Sequence, residues 1–181
     1  MKKTKKKKEI KPVEPLQYEG PENIIRQHRR QAYLVEVKEV KGEGSLILTN
    51  HRLLFLNRIE RSPEIEADIK RLADAPMKEV LDHGLSLNKE NLEIPLSSII
   101  KAGVGNLFSF PTPRFCLSIY YLHPRKLTPH TVTFQFINAR SNILFGIFAQ
   151  PQVFTASSWG KSIRKAISLL NKITDSDRQE D

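Results

Sequence analysis

A chain of 181 residues, 39% of them hydrophobic, accommodates one domain with a core of ordinary size, together with tails or a small insertion. Its single cysteine, Cys116, excludes a disulfide framework within a monomer, and one cysteine with five scattered histidines argues against a structural zinc site. The net charge of +9 is unevenly spread: residues 1–12 hold seven lysines and one glutamate, residues 173–181 hold four acids and one arginine, and the body between them is moderately basic, which suits an anionic surface without requiring one.

Residues 1–19 are Lys-rich, then Pro-containing, with no hydrophobic period, and read as a disordered tail. Such a tail is either a solubilising segment or a polybasic arm for anionic lipid or nucleic acid; near an anionic membrane each lysine contributes on the order of 1 kcal/mol. No apolar segment follows these lysines and no run approaches the roughly 18 apolar residues of a membrane span, so a cytoplasmic protein is expected, with peripheral membrane association left open. The domain is assigned to residues 20–173. Pro21 to about Arg30 suggests a short helical turn, with Glu22 early and Arg29 and Arg30 late. Ala32–Val40 alternates as a first strand, and Lys41-Gly42-Glu43-Gly44 reads as a turn.

Gly44–Leu56 reads as two strands closing on Asn50-His51. Closure there pairs Leu48 with Leu53, Ile47 with Leu54 and Leu46 with Phe55, placing Leu46, Leu48, Leu53 and Phe55 on one core-facing side. The other side carries Ile47 and Leu54 with Ser45, Thr49 and Arg52. Residues 61–85 then read as a helical insertion, opened by Ser62 as N-cap and Pro63 at the first helical position, restarted at Pro76 and ended at Gly84. Packing at the sheet edge, or binding of a partner, are its two roles in prospect.

Leu92–Ile100 is a strand that Pro95 either confines to an edge or splits, with Lys101–Gly105 as its extension. Arg114–Leu122 alternates with Phe115, Leu117, Ile119 and Tyr121 on one face, and Thr131–Ile137 with Val132, Phe134 and Phe136. A helix over about Ser157–Ile173 has an apolar stripe of Trp159, Ile163, Ala166, Ile167, Leu170 and Ile173 opposite a basic face of Lys161, Lys165, Ser168 and Lys172. Its apolar stripe is expected to plug one end of a small sandwich or barrel. Residues 174–181 read as an acidic disordered tail.

The stretch Gly44, Leu46, Leu48, Thr49, Asn50, Arg52, Leu53 and Phe55, followed by Ile94-Pro95-Leu96-Ser97-Ser98-Ile99, resembles the signature hairpin and later strand of GRAM and GLUE domains, members of the pleckstrin-homology (PH) superfold. The resemblance covers about residues 22–172, and the helical insertion departs from a minimal GRAM domain. It implies a mainly β fold with α: a PH-like bent seven-stranded antiparallel sandwich or barrel capped by a C-terminal helix. It also implies a non-enzymatic adaptor that docks on anionic, phosphoinositide-like membrane lipid, or else a GLUE-like module that binds ubiquitin or an ESCRT-type sorting complex.

The loop after the first strand offers Lys38 and Lys41, but Glu39 and Glu43 offset them. The later loops carry Arg114, Arg125, Lys126 and Arg140, and these are the expected phosphate-binding residues, since a guanidinium fork donates two parallel bonds to phosphate. Displacement of the lipid pocket to such loops is what the GLUE resemblance implies. Phe108 and Phe110, in an apolar loop before Arg114, are the expected membrane contacts. No Gly-rich phosphate loop, metal-ligand spacing or nucleophile–base arrangement stands out, so no catalytic residue, cofactor or metal is expected. The body has no nucleic-acid-binding signature, and the Lys tail alone would give only salt-sensitive, non-specific contacts.

Overall fold

The computed structural model describes residues 20–36, 39–59, 62–107, 114–123, 128–136 and 150–177. The strands are β1 (Ile24–Glu36), β2 (Glu39–Thr49), β3 (Arg52–Asn57), β4 (Leu92–Pro95), β5 (Ile99–Leu107), β6 (Arg114–Leu122) and β7 (Pro129–Phe136). The helices are α1 (Pro63–Arg71) and α2 (Met77–Ser86), between β3 and β4, and α3 (Gln150–Asp177) at the end. All strand pairs are antiparallel, in the order β4-β3-β2-β1-β7-β6-β5. β1 joins two meanders, with Ala32–Val35 pairing β2 on one side and β7 on the other. With α3 packed against β5, β6 and β7, this is the PH-like bent sandwich with a C-terminal capping helix.

The hairpin register matches the apolar pattern: Leu46 faces Phe55, Ile47 faces Leu54 and Leu48 faces Leu53. Leu46, Leu48, Leu53 and Phe55 enter the main core with Leu117, Ile119, Tyr121, Val132, Phe134 and Phe136 from the other meander. Trp159, Ile163, Ala166 and Leu170 of α3 close that core, each contributing on the order of 1–3 kcal/mol of apolar burial for the larger side chains. Phe136 stacks on Trp159 with ring centroids 6.1 Å apart. The helix also approaches the β5 backbone closely, since a Cβ added at Gly160 would lie 3.3 Å from the Cα of Gly103, and Arg164 Nη1 donates to the Ala102 carbonyl at 2.6 Å.

Several boundaries differ from the sequence pattern. Pro21–Arg30 is no helical turn: β1 begins at Ile24, because β2 offers ladder partners from Ile24 onward and the hairpin tip holds Glu22 and Asn23. The first strand therefore ends at Glu36, which pairs with Glu39, and Lys41–Gly44 lies inside β2. Gly44 is needed there for space: a Cβ would fall 2.1 Å from the Leu56 carbonyl oxygen. Helix α2 continues past Gly84 to Ser86, where Asn91 Nδ2 donates to the carbonyls of Gly84 (2.8 Å) and Leu85 (3.3 Å) and satisfies acceptors that a helix end leaves open. Pro95 does both things open to it, ending β4 at the sheet's edge and leading through a short 3-10 turn, Leu96–Ser98, into β5. Helix α3 starts at Gln150 rather than Ser157, with Pro151 tolerated in its first turn, and runs to Asp177, into the stretch read as an acidic tail.

The insertion sits on a sheet face rather than a sheet edge. Ser62 caps α1 by accepting from the Ile65 amide at 3.3 Å. Leu81 of α2 packs with Ile47 and Leu54, and Leu56 and Leu85 flank them, so the half-apolar outer side of the β2–β3 hairpin is covered by the insertion. The hairpin is thus buried on both sides.

Candidate functional site

The most polar buried region lies where the hairpin tip meets the start of β1. Asn50 donates through Nδ2 to the Pro21 carbonyl (3.0 Å), accepts through Oδ1 from the Asn23 amide (2.7 Å), and its own amide bonds the Asn23 carbonyl (3.1 Å). Thr49 Oγ1 accepts from the amides of His51 and Arg52, at 3.1 and 3.0 Å, and donates to Glu22 Oε1 at 2.8 Å. Arg52 forms a two-pronged pair with Glu22, Nε to Oε1 and Nη2 to Oε2, both 2.8 Å. The same guanidinium reaches Glu93 on β4 at 2.8 Å and Asp82 on α2 at 2.6 Å.

The electrostatics follow from this geometry. Burial works to raise the Glu22 carboxyl, but the hydrogen bonds from Arg52 and Thr49 outweigh it and hold the group below the ordinary Glu value. Burial works to lower the Arg52 pKa, and its three carboxylate partners reverse that and raise it. Asp82 is likewise held down by Lys78 and Arg52 against its partial burial. Arg52, with its side chain 9% exposed, is fully engaged inside the fold. The Thr-Asn-x-Arg motif therefore clasps the Pro21-Glu22-Asn23 segment, the insertion and β4, and is structural.

The surface chemistry lies in the other half of the molecule. From Ile94 to Thr174 the chain has no Asp or Glu, and it has four arginines and five lysines. This segment supplies β5, β6, β7 and all of α3 except its last three residues, which include Asp175 and Asp177. The insertion and its flank, residues 62–93, carry eight acids against four bases. The sequence pattern points to individual basic loops and to the basic face of the last helix; the acid-free run from Ile94 to Thr174 becomes visible when signs are counted by structural element, with Asp175 and Asp177 falling only in the last turn of α3.

On α3, Lys161 and Lys165 are exposed, as are Phe154 (70%) and Leu169 (48%). Trp159, by contrast, is buried and stacked on Phe136, with the Arg26 guanidinium 4.8 Å from its ring centroid and Arg26 Nη1 bonded to Ser158 (2.8 Å) and Ser162 (3.0 Å). Of the apolar stripe, Trp159, Ile163, Ala166 and Leu170 are buried in the core and Ile167 packs partly buried against it. Phe154 lies in the part of α3 that the sequence pattern had not assigned to the helix, and it is the signal that pattern missed.

Among the expected phosphate ligands, Arg114 opens β6, with its backbone opposite Leu107. Arg125 and Lys126 lie outside the described residues, in the connection anchored by the 3.0 Å bond from the His123 amide to the Thr128 carbonyl. Arg140, Phe108 and Phe110 also lie outside the described residues. Arg114 opens β6 and His123 follows its last residue, so these two stand at opposite ends of a strand of nine residues, about 26 Å end to end. The chain leaves β7 at Phe136, at the Arg114 end of the sheet, because Leu117 faces Phe134.

No family model, curated protein or solved structure matches the chain. Among the described residues, no helix is long and apolar enough to cross a membrane, and no group of three or more His, Cys, Asp or Glu side chains is placed to hold a metal ion.

Proposed function

We propose that this chain is a non-enzymatic, GRAM- or GLUE-type PH-like adaptor that docks on the anionic, phosphoinositide-like face of a cytoplasmic membrane and recruits partners there. The observation that carries this reading is the charge layout: residues 94–174, which supply β5, β6, β7 and all of α3 except its last three residues, hold nine cations and no acid, whereas residues 62–93 hold eight acids against four bases. A surface of one sign over half a domain orients it toward an opposite surface and adds on the order of 1 kcal/mol per lysine brought near the lipid. Arg114, at the start of β6, and Arg125, Lys126 and Arg140 of the later loops are the proposed phosphate contacts. The Lys-rich residues 1–12 add to the same attraction.

Co-sedimentation of the full chain with phosphatidylcholine vesicles, with and without a phosphoinositide or phosphatidylserine, tests the reading. Binding that requires anionic lipid and weakens with salt is expected; equal pelleting with neutral vesicles, or none with either, overturns it. A second reading, a GLUE-like protein-interaction module for ubiquitin or an ESCRT-type complex, is favoured by the insertion, which is fixed to the sheet by Leu81 and Asp82 yet leaves Met77 exposed. A titration of labelled chain with ubiquitin that shifts no α1 or α2 resonance removes its ubiquitin form.

A further inference from the structure

We infer that the solvent side of α3 is itself a lipid-docking ridge, a pocketless contact distinct from the loops at the strand ends; this deepens the membrane reading and rests on it. With about 100° per residue, Phe154, Lys161, Lys165 and Lys172 fall within about 20° of one line along the helix, and Leu169 stands beside it. The line runs for about 27 Å at 1.5 Å per residue. Every residue on it whose exposure is described is open to solvent. Arg164 points elsewhere, to the Ala102 carbonyl, so the ridge consists of lysines, whose long flexible stems let the ammonium groups rise to the phosphate level while the apolar stems lie against lipid.

The occupant is set by the mixture of side chains. Lys161 and Lys165, exposed and with no acid from Gln150 to Thr174, the first acids of the helix being Asp175 and Asp177 at its end, call for an anionic surface. Phe154, 70% exposed at one end, and Leu169, 48% exposed toward the other, call for an apolar layer just beneath that charge. A bilayer interface supplies both, because aromatic and aliphatic side chains enter the acyl boundary while lysines stay at the headgroups. A nucleic-acid backbone would reward the lysines and leave Phe154 and Leu169 without a role. The opposite stripe of the same helix is locked in the core through Trp159, Ile163 and Leu170, so the ridge is held rigid and faces outward.

The test uses the full chain and phosphatidylcholine vesicles containing phosphatidylserine, which presents charge without an inositol headgroup. Lys161→Glu with Lys165→Glu is expected to weaken binding at least about 25-fold, roughly fivefold for each lysine. Phe154→Ser is expected to weaken it about fivefold without altering its salt dependence. All three positions are exposed, so circular dichroism and melting temperature should match the wild type. An environment-sensitive fluorophore at Phe154→Cys should shift to the blue on adding vesicles. If the wild type binds anionic vesicles and both variants bind equally well, the ridge is refuted and the membrane reading stands. If the wild type fails to bind any anionic vesicle, both fall. If the chain prefers duplex DNA to vesicles and Phe154→Ser changes nothing, the ridge is an electrostatic nucleic-acid contact and the inference is overturned.

Discussion

Replacing Arg52 by Met isolates what the hairpin tip contributes. The substitution keeps an unbranched apolar stem and removes the guanidinium. Glu22, whose side chain is 2% exposed, then loses both of its 2.8 Å bonds from Arg52 and keeps only the Thr49 hydroxyl. A buried charge stripped of its partner costs about 3–5 kcal/mol. The pairs with Glu93 and Asp82, whose side chains are 45% and 40% exposed, add at most about 1 kcal/mol each, because solvent screens them. A loss of about 3–5 kcal/mol is a large part of the 5–15 kcal/mol typical of a domain. Urea denaturation at neutral pH measures it. Glu22→Gln together with Arg52→Met should recover about 1–3 kcal/mol relative to Arg52→Met alone, because no charge is then buried. The pH dependence gives a second check. In the wild type the Glu22 carboxyl is held below its ordinary value, so its contribution is complete above about pH 4.3 and fades as pH falls through the folded value. In Arg52→Met, burial without the guanidinium pushes the carboxyl up, and protonation on acidification relieves the variant. The gap between the two proteins should therefore be widest at neutral pH and narrow below about pH 5. A neutral-pH gap under about 1 kcal/mol, or one that does not change with pH, refutes the buried-pair account.

Gly44→Ala should destabilise by about 1–3 kcal/mol in the same assay, since its Cβ would meet the Leu56 carbonyl oxygen at 2.1 Å and the backbone of β2 or β3 must move. Leu81→Ala should cost about 2–5 kcal/mol and raise hydrogen exchange in α1 and α2 ahead of the sheet, because Leu81 is the insertion's fully buried anchor on Ile47 and Leu54. Cys116 is buried, and burial pushes its thiol up despite the Gly105 backbone, so a disulfide reagent should leave the native chain unlabelled and modify it at the unfolded rate once urea passes the transition.

The parts of the fold legible in the sequence were those governed by local period. The hairpin register followed from alternation at Leu46, Leu48, Leu53 and Phe55, β6 from its uninterrupted alternation, and the inward stripe of α3 from Trp159, Ile163, Ala166 and Leu170. The parts that were not legible were decided by distant partners. Glu22 looked like a first-turn helix acid and is instead Arg52's buried counter-ion, thirty residues away. Gly84 looked like a helix stop, yet Asn91 lets α2 finish two residues later. Ile47 and Leu54 left the hairpin's outer face half apolar, which was the one local trace of the α2 face that covers it. The expected phosphate ligands rest on residue type within loops; of them Arg114 is placed, at the start of β6, and Arg125, Lys126 and Arg140 lie outside the described residues. Phe154 has no local signal, because Gln150–Thr155 carries no apolar stripe of its own.

The contact of Gly160 and Arg164 with β5 has a consequence for how this sheet meets other chains. Among the described residues the seven-stranded order ends in β4 on one side and β5 on the other, and unpaired edges recruit strands from other molecules. Along β5, α3 lies close against Gly103 and the Arg164 guanidinium takes the Ala102 carbonyl, so an incoming strand would find an acceptor already engaged. Along β4, the strand has only four residues and ends in Pro95, which has no amide hydrogen to offer. Both edges are thereby guarded against strand addition, which protects the chain from sheet-to-sheet aggregation and turns association toward its helical and loop surfaces.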